Sequence, residues 1–384
     1  MKLCAVGALL LSLVGCAGVI PRPAIPRPAI SHPSALEDYA RSLMKREGVE
    51  ALAVAVIEQS TVIQVAAYGR RNVERDLPLT PDTIMYGASL TKAAFAYMVL
   101  QLVDEGQLTL DASVAELLPK PLPDYPDYRA LAGDQRWRAL TPRIMLTHST
   151  GWANFRWLEP DKTLRFHFAP GTRYAYSGEA INLLQMILEQ GLGLDVGKEM
   201  QVRVFDRFGM RNTSMQWRPD FAANLADGYT LKGTMVPHDE RGRARAAGSM
   251  DTTIADQARL WAGIMRGEGL SARSRAELVR PQLAITAPHQ FPTLTSAVEP
   301  GNALIGLAAG LGVVTFKDAS GQAWFKGGHN DSTANMVVCL EAGGRCVVML
   351  SNDVRAERLY PELARFVLGK TSMPWQWEYG WWKP

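Results

Sequence analysis

The apolar positions change period along the chain. From Leu36 they recur at helical spacing (Leu36, Tyr39, Leu43, Met44), and Gly48 closes that stripe. Two extended runs follow, residues 49–58 and 61–68, separated by a turn-length gap that predicts an antiparallel hairpin. Residues 80–300 read as mostly helical and loop-rich, with helices expected over 89–105, 140–148, 178–190 and 254–267. After Gly310 extended runs return at 311–316, 322–326, 335–341 and 345–350. A last helix over 355–368 carries Pro361 near its start, and Gly369 follows it. The pattern predicts an α+β fold. An antiparallel sheet is begun by N-terminal strands and finished by C-terminal ones, with the terminal helices on one face and a helical lobe inserted between the two sets of strands. The expected division is a sheet lobe of residues 34–79 and 301–370, a helical lobe of 80–300, and a Trp-rich tail of 371–384, whose tryptophans are expected to pack against the body.

The first 33 residues follow another pattern. Lys2, an apolar run from Ala5 to Val14 and the small residues after it read as a signal peptide over residues 1–15. Leu13-Val14-Gly15-Cys16 resembles the bacterial lipobox, which implies cleavage before Cys16 and a lipid on its sulfur. The alternative is ordinary cleavage near Ala17 with no lipid. Residues 16–33, with Pro-Arg-Pro-Ala-Ile written twice, read as an extended tether. The expected location is the periplasm, anchored to the membrane by lipid; Ala17 after the cysteine points to the outer membrane. Cys339 and Cys346 flank the hairpin-turn sequence Ala342-Gly343-Gly344-Arg345, and a bridge between them is open but not required.

Composition narrows the chemistry. The 384 residues are 47% hydrophobic and 21% charged, the balance of a globular protein. A net charge of +3, without basic runs interleaved with aromatics, gives no nucleic-acid partner. His-Glu-x-x-His, Gly-x-Ser-x-Gly and a phosphate loop are all missing, so neither a metal nor a cofactor is expected.

The candidate chemistry sits in Ser89-Leu90-Thr91-Lys92. Apolar residues at Leu90, Ala93, Ala94, Tyr97, Met98 and Leu102 mark a helix, and positions three apart share a face. Ser89 and Lys92 therefore lie side by side at its start. A lysine whose pKa is lowered by the helix dipole or a second cation can act as base for the serine. The competing reading of Ser89 is a helix N-cap.

Three more segments line up with this one: Pro170-Gly171-Thr172-Arg173-Tyr174-Ala175-Tyr176-Ser177-Gly178, Lys326-Gly327-Gly328-His329, and Leu146-Thr147-His148-Ser149-Thr150-Gly151-Trp152. Together they resemble the serine β-lactamase and penicillin-binding superfamily over about residues 36–370, nearest the branch of class C β-lactamases, D-amino-acid peptidases and family VIII-type esterases. The resemblance implies Ser89 as nucleophile, Lys92 as its base and Tyr176 as proton shuttle, with Tyr174 the competing tyrosine. It implies that Lys326, Gly327 and Gly328 line the cleft. Lys326 would bind a substrate carboxylate and hold Lys92 and Tyr176 in their less protonated forms. The oxyanion hole would be the backbone N–H groups of Ser89 and His329. His148 is expected in the framework.

Two positions depart from that pattern. Gly178 stands where class C β-lactamases have asparagine, and Gly327 where they have a hydroxyl residue. The expected activity is therefore hydrolysis of an ester or amide through a Ser89 acyl-enzyme, by an esterase or peptidase of unknown substrate. Behind it stand a D-Ala-D-Ala carboxypeptidase acting on peptidoglycan-like substrates and a weak β-lactamase. A non-catalytic envelope binding lipoprotein is the reading from another class.

Overall fold

The structure, a computed structural model, describes residues 33–381. The expected signal peptide, the Pro-rich tether up to residue 32 and the lipidation site Cys16 lie outside the described residues, as does Trp382.

Helix α1 (Pro33–Glu47) leads into strands β1 (Ala51–Glu58), β2 (Thr61–Asn72) and β3 (Leu77–Pro78). The inserted lobe contains helices α2 (Leu90–Asp104), α3 (Gly178–Gly191) and α4 (Ile254–Arg266). The chain returns to the sheet through β4 (Leu283–Ala284), β5 (Ala308–Ala309), β6 (Val314–Asp318), β7 (Gly321–Asn330), β8 (Thr333–Leu340) and β9 (Arg345–Ser351). Helices α5 (Tyr360–Leu368) and α6 (Trp375–Glu378) follow. The strands form one antiparallel sheet in the order β3-β2-β1-β9-β8-β7-β6-β5-β4. The N-terminal hairpin thus joins the C-terminal strands through β1 and β9, with Ala53 opposite Leu350 and Ile57 opposite Cys346.

Strand β1 reads as a continuous apolar run because both faces of the sheet are covered. Ala51, Ala53, Ala55 and Ile57 enter the core shared with α2 and α4. The alternate residues Leu52, Val54 and Val56 enter a second core with α1 and α5. The terminal helices therefore lie together on one face and the inserted lobe covers the other. Helix α2 is mostly apolar and buried on every side from Leu90 through Leu102, so it runs through the lobe's interior rather than along its surface.

Local departures from the sequence reading have simple causes. The helix expected over 140–148 is only Pro142–Leu146: Thr141 caps it, and the chain turns away at His148, which has φ +52°. The last helix is split, a 3₁₀ turn over Val354–Arg358 preceding α5, which has Pro361 in its first turn. The final sheet segment begins at Leu283 rather than 301, because β4 pairs with β5. In the tail, Trp375 and Trp377 are buried in the second core, whereas Trp381 is half exposed. Cys339 and Cys346 face each other across β8 and β9 and form a disulfide.

Candidate active site

The site forms where the start of α2 meets the edge of β7. Ser89 is the N-cap residue, yet its hydroxyl caps nothing. Instead it accepts a hydrogen bond of 2.9 Å from Lys92 Nζ. The i,i+3 spacing read from the sequence therefore produces the contact it implied. Lys92 is almost wholly buried, and its Nζ also donates to the Ala247 carbonyl. Burial, then the charge of Lys326, pushes its pKa well below the ordinary lysine range. A neutral amine in contact with a serine hydroxyl can accept its proton.

Tyr176 is buried beside both amines. Lys92 Nζ lies 5.0 Å and Lys326 Nζ 5.2 Å from its ring centroid. The expectation that Lys326 would favour the phenolate is corrected here. Burial dominates and raises the Tyr176 pKa, and hydrogen bonding with Ser89 only partly offsets it. Tyr176 is thus a phenol, equipped to donate a proton, and Lys92 is the group equipped to accept one. Tyr174 points elsewhere: its hydroxyl donates to Gln290 Oε1 at 3.2 Å.

His148 holds this arrangement from behind. Its Nδ1 accepts from the Ser177 N–H at 3.2 Å, and its ring lies 4.4 Å from that of Tyr176. Burial and the two lysine charges keep it neutral, pushed well below the usual histidine range. Ser177 in turn caps α3, accepting from the Ala180 N–H.

On the opposite wall, β6 pairs with β7 only as far as Phe325, so the edge beyond it is open towards α2. Gly328 sits against the helix start: a Cβ there would be 2.9 Å from Leu90 N and 3.0 Å from Ser89 N. This closeness puts the backbone around His329 next to the Ser89 N–H, the neighbourhood an oxyanion hole needs. The His329 side chain turns to Glu357 Oε1 at 2.7 Å; burial opposes its charge, but Glu357 prevails and raises its pKa.

Both glycines that depart from the class C pattern are covered by other side chains. A Cβ on Gly178 would lie 2.3 Å from the Phe155 ring, and one on Gly327 would lie 1.9 Å from Glu378 Oε1. Lys326 Nζ donates to the Gly327 carbonyl at 2.7 Å and feels the charge of Glu378 without a direct ion pair; Glu378 accepts from Gln290 Nε2 at 2.9 Å. Burial raises Glu378 to about 7 and lowers Lys326 to about 8, and their mutual attraction opposes both shifts. Ser89, Lys92, Tyr176, Gly327, Gly328 and His329 line a cavity of about 310 Å³. Beside it lies a cleft of about 1260 Å³, sharing Tyr86, Phe155, Ala247 and Asn330 with it. No group of three or more His, Cys, Asp or Glu side chains among the described residues is gathered as metal ligands would be.

The sequence reading missed Phe155, Gln290, Phe291 and Glu378, all in the cavity wall. The one available signal for Glu378 was a carboxylate set among tryptophans in the tail. Lys326 is buried at the free edge of β7 behind the cavity, whose wall holds Gly327, Gly328 and His329 and, from elsewhere in the chain, the Glu378 carboxylate.

Comparison with known proteins agrees with this architecture. The family described as Beta-lactamase matches residues 36–370. A D-aminopeptidase of Gluconobacter oxydans (strain 621H) is 29% identical over 165 residues, covering 41% of this chain and 31% of that protein. Esterase EstB of Burkholderia gladioli is 28% identical over 200 residues, covering 45% of this chain and 49% of that protein. The matched part thus spans less than half of either relative. In fold, the chain is similar to the D-alanine carboxypeptidase AmpC of Burkholderia cenocepacia, with a TM-score of 0.69 at 21% identity over 88% of this chain and 99% of that one.

Proposed function

This chain belongs to the beta-lactamase family, and from that premise we propose that it is a serine hydrolase that cleaves an ester or amide through an acyl-enzyme on Ser89. The observation that carries the reading is the 2.9 Å contact between Lys92 Nζ and Ser89 Oγ, made by an amine whose charge is disfavoured by burial and by Lys326. Lys92 accepts the Ser89 proton as Oγ attacks the carbonyl carbon. The oxyanion is held by the N–H groups of Ser89 and His329. When the intermediate collapses, the Tyr176 phenol protonates the departing alkoxide or amine, and the proton on Lys92 replaces the one Tyr176 gave up. Water then attacks the acyl-enzyme, its proton passes through the same pair, and the acid leaves with Ser89 restored. The net reaction adds one water across the bond.

Esterase or peptidase action ranks ahead of D-Ala-D-Ala carboxypeptidase or β-lactamase action. Phe155 and Glu378 over the two glycines support this order, and the D-aminopeptidase and esterase relatives are consistent with it. A non-catalytic binding protein would have no use for a desolvated lysine on a serine that caps nothing. We further propose export to the periplasm and anchoring through a lipid on Cys16, preferentially in the outer membrane. The N-terminal pattern and the Cys339–Cys346 bridge support it.

The test of the reaction is a panel of p-nitrophenyl acetate and butyrate, nitrocefin and a D-Ala-D-Ala peptide, with an active-serine phosphonate as label. Ser89-dependent ester turnover and labelling, lost in Ser89→Ala, are expected; equal labelling of both proteins would sink the reading. Labelled palmitate should enter the wild type and not Cys16→Ala.

A further inference from the structure

The catalytic cavity holds a carboxylate that the reaction described above does not use. Glu378 comes from α6, beyond the last helix of the sheet lobe, and is 5% exposed. Its position is built, not incidental. Trp377 beside it is buried against Tyr174 and Phe325, with ring centroids 5.8 and 6.0 Å away, and Trp375 stacks on Tyr379 at 6.1 Å. Gln290 Nε2 donates to Glu378 Oε2, and the other oxygen fills the place of a Gly327 side chain. The carboxylate therefore stands in the cavity wall at the free edge of β7, next to the serine and within electrostatic reach of Lys326.

We propose that Glu378 is a specificity-determining residue that excludes substrates carrying a carboxylate next to the scissile bond and reserves the cavity for uncharged leaving groups. The inference rests on the Ser89 hydrolase reading and names the substrate class for it. A buried ammonium without a counter-charge attracts an anion from solution. Here His329 in the cavity wall is paired with Glu357, and the buried Lys326 behind the wall has Glu378 as the nearby opposite charge. Above about pH 7, where Glu378 is ionised, an incoming carboxylate would be repelled by it at close range in a water-poor site. The rest of the wall suits a neutral group. Phe155, Phe291 and Tyr176 offer ring surface, and Asn154 and Gln290 offer amides.

The experiment compares phenyl butyrate with 3-carboxyphenyl butyrate, esters that differ by one carboxylate on the leaving group. The full chain is assayed above about pH 7, where Glu378 is ionised, as wild type, Glu378→Gln and Glu378→Gln/Lys326→Met. A second arm titrates benzoate against tryptophan fluorescence, which needs no turnover. The wild type should prefer the uncharged ester by at least about tenfold in kcat/KM and should bind benzoate weakly. Glu378→Gln should raise the ratio of charged to uncharged ester about tenfold, through KM, and tighten benzoate binding; Lys326→Met should erase both gains. Equal use of the two esters by the wild type overturns the proposal, and this outcome requires no variant to fold. An unchanged ratio in a Glu378→Gln protein of wild-type melting behaviour overturns it as well. If neither ester is turned over in a Ser89-dependent way, the hydrolase reading fails, and benzoate binding still decides the role of Glu378.

Discussion

Glu378 and Gly327 share one place: a Cβ on Gly327 would stand 1.9 Å from the Glu378 Oε1 atom. A carboxylate from the C-terminal helix thus completes a strand position that has no side chain of its own. The departure from the class C pattern at this position is a replacement, with the polar group supplied from elsewhere in the chain.

Restoring a hydroxyl at this position should therefore fail to restore β-lactam chemistry. In Gly327→Thr the new side chain must push Glu378 off Gln290 and away from Lys326. Overpacking of this kind costs about 1–3 kcal/mol. Urea unfolding should show that loss, and nitrocefin turnover should stay at background. Adding Glu378→Ala should recover most of the stability, since it vacates the space. A Gly327→Thr protein as stable as wild type would mean that Glu378 leaves the site readily.

How much of this was legible in the sequence depended on the range of the interaction. Ser89 and Lys92 are three residues apart on one helix, so periodicity alone brought them together. The sheet was legible because β1, β8 and β9 are largely apolar runs bounded by turns. Tyr176 and Lys326 needed the family resemblance, since nothing local ties them to Ser89. Glu378 and Phe155 were out of reach. Each fills the space above a glycine far away in the chain, and a glycine does not announce what covers it. The direction of the Tyr176 shift was misjudged because neighbouring charge could be inferred from sequence and depth of burial could not.

The acid limb of the pH–rate profile should report Lys92. Its neutral form is the active one, so kcat/KM should rise with pH as it loses its proton. Lys326 helps to hold that proton off. In Lys326→Met, Lys92 keeps its proton to higher pH, and the acid limb should move up. A limb that stays in place or moves down would show that burial alone sets the lysine. Lys92→Met should lose about 10²–10⁴-fold in kcat, the range for a general base.

Gly328 has no room for a methyl group. A Cβ there meets backbone nitrogens of Ser89 and Leu90 at 3.0 and 2.9 Å, and backbone cannot swing aside as a side chain can. Gly328→Ala should lever β7 away from the start of α2 and open the oxyanion hole. Loss of one such donor costs about 10²–10³-fold in kcat. Ester hydrolysis should fall by that order while far-ultraviolet circular dichroism stays native. Retained activity would place the oxyanion elsewhere.

The disulfide should contribute stability without touching the chemistry. Cys339 and Cys346 lie opposite each other on β8 and β9 and close a short loop. Loop-entropy arguments give about 2–3 kcal/mol for a bridge of this span. The double variant Cys339→Ala/Cys346→Ala should unfold at lower urea by about that amount. Its kcat/KM should stay close to wild type, because the backbone ladder still holds β7. A large loss of activity in the folded variant would make the bridge part of the site's geometry.

Glu378 should also leave a signature in the pH dependence of stability. Its pKa is raised by burial to about 7, above its unfolded value, and the charges facing it are Lys326, His329 and Glu357, with the phenols of Tyr174, Tyr176 and Tyr379. Between the two values the unfolded chain has released this proton and the folded chain still holds it. The stability it contributes is therefore complete in acid and is lost as pH rises through about 7. Lys326 acts at the other end. Its pKa is lowered to about 8, so its penalty is present below that pH and lifts above it. The protein should thus lose stability between roughly pH 5 and pH 7 relative to Glu378→Gln, which carries no proton to release. Urea unfolding of both proteins at pH 5 and pH 7.5 measures the difference directly. If the difference between the two proteins is flat over that interval, Glu378 is ionised throughout and its attraction to Lys326 outweighs its burial.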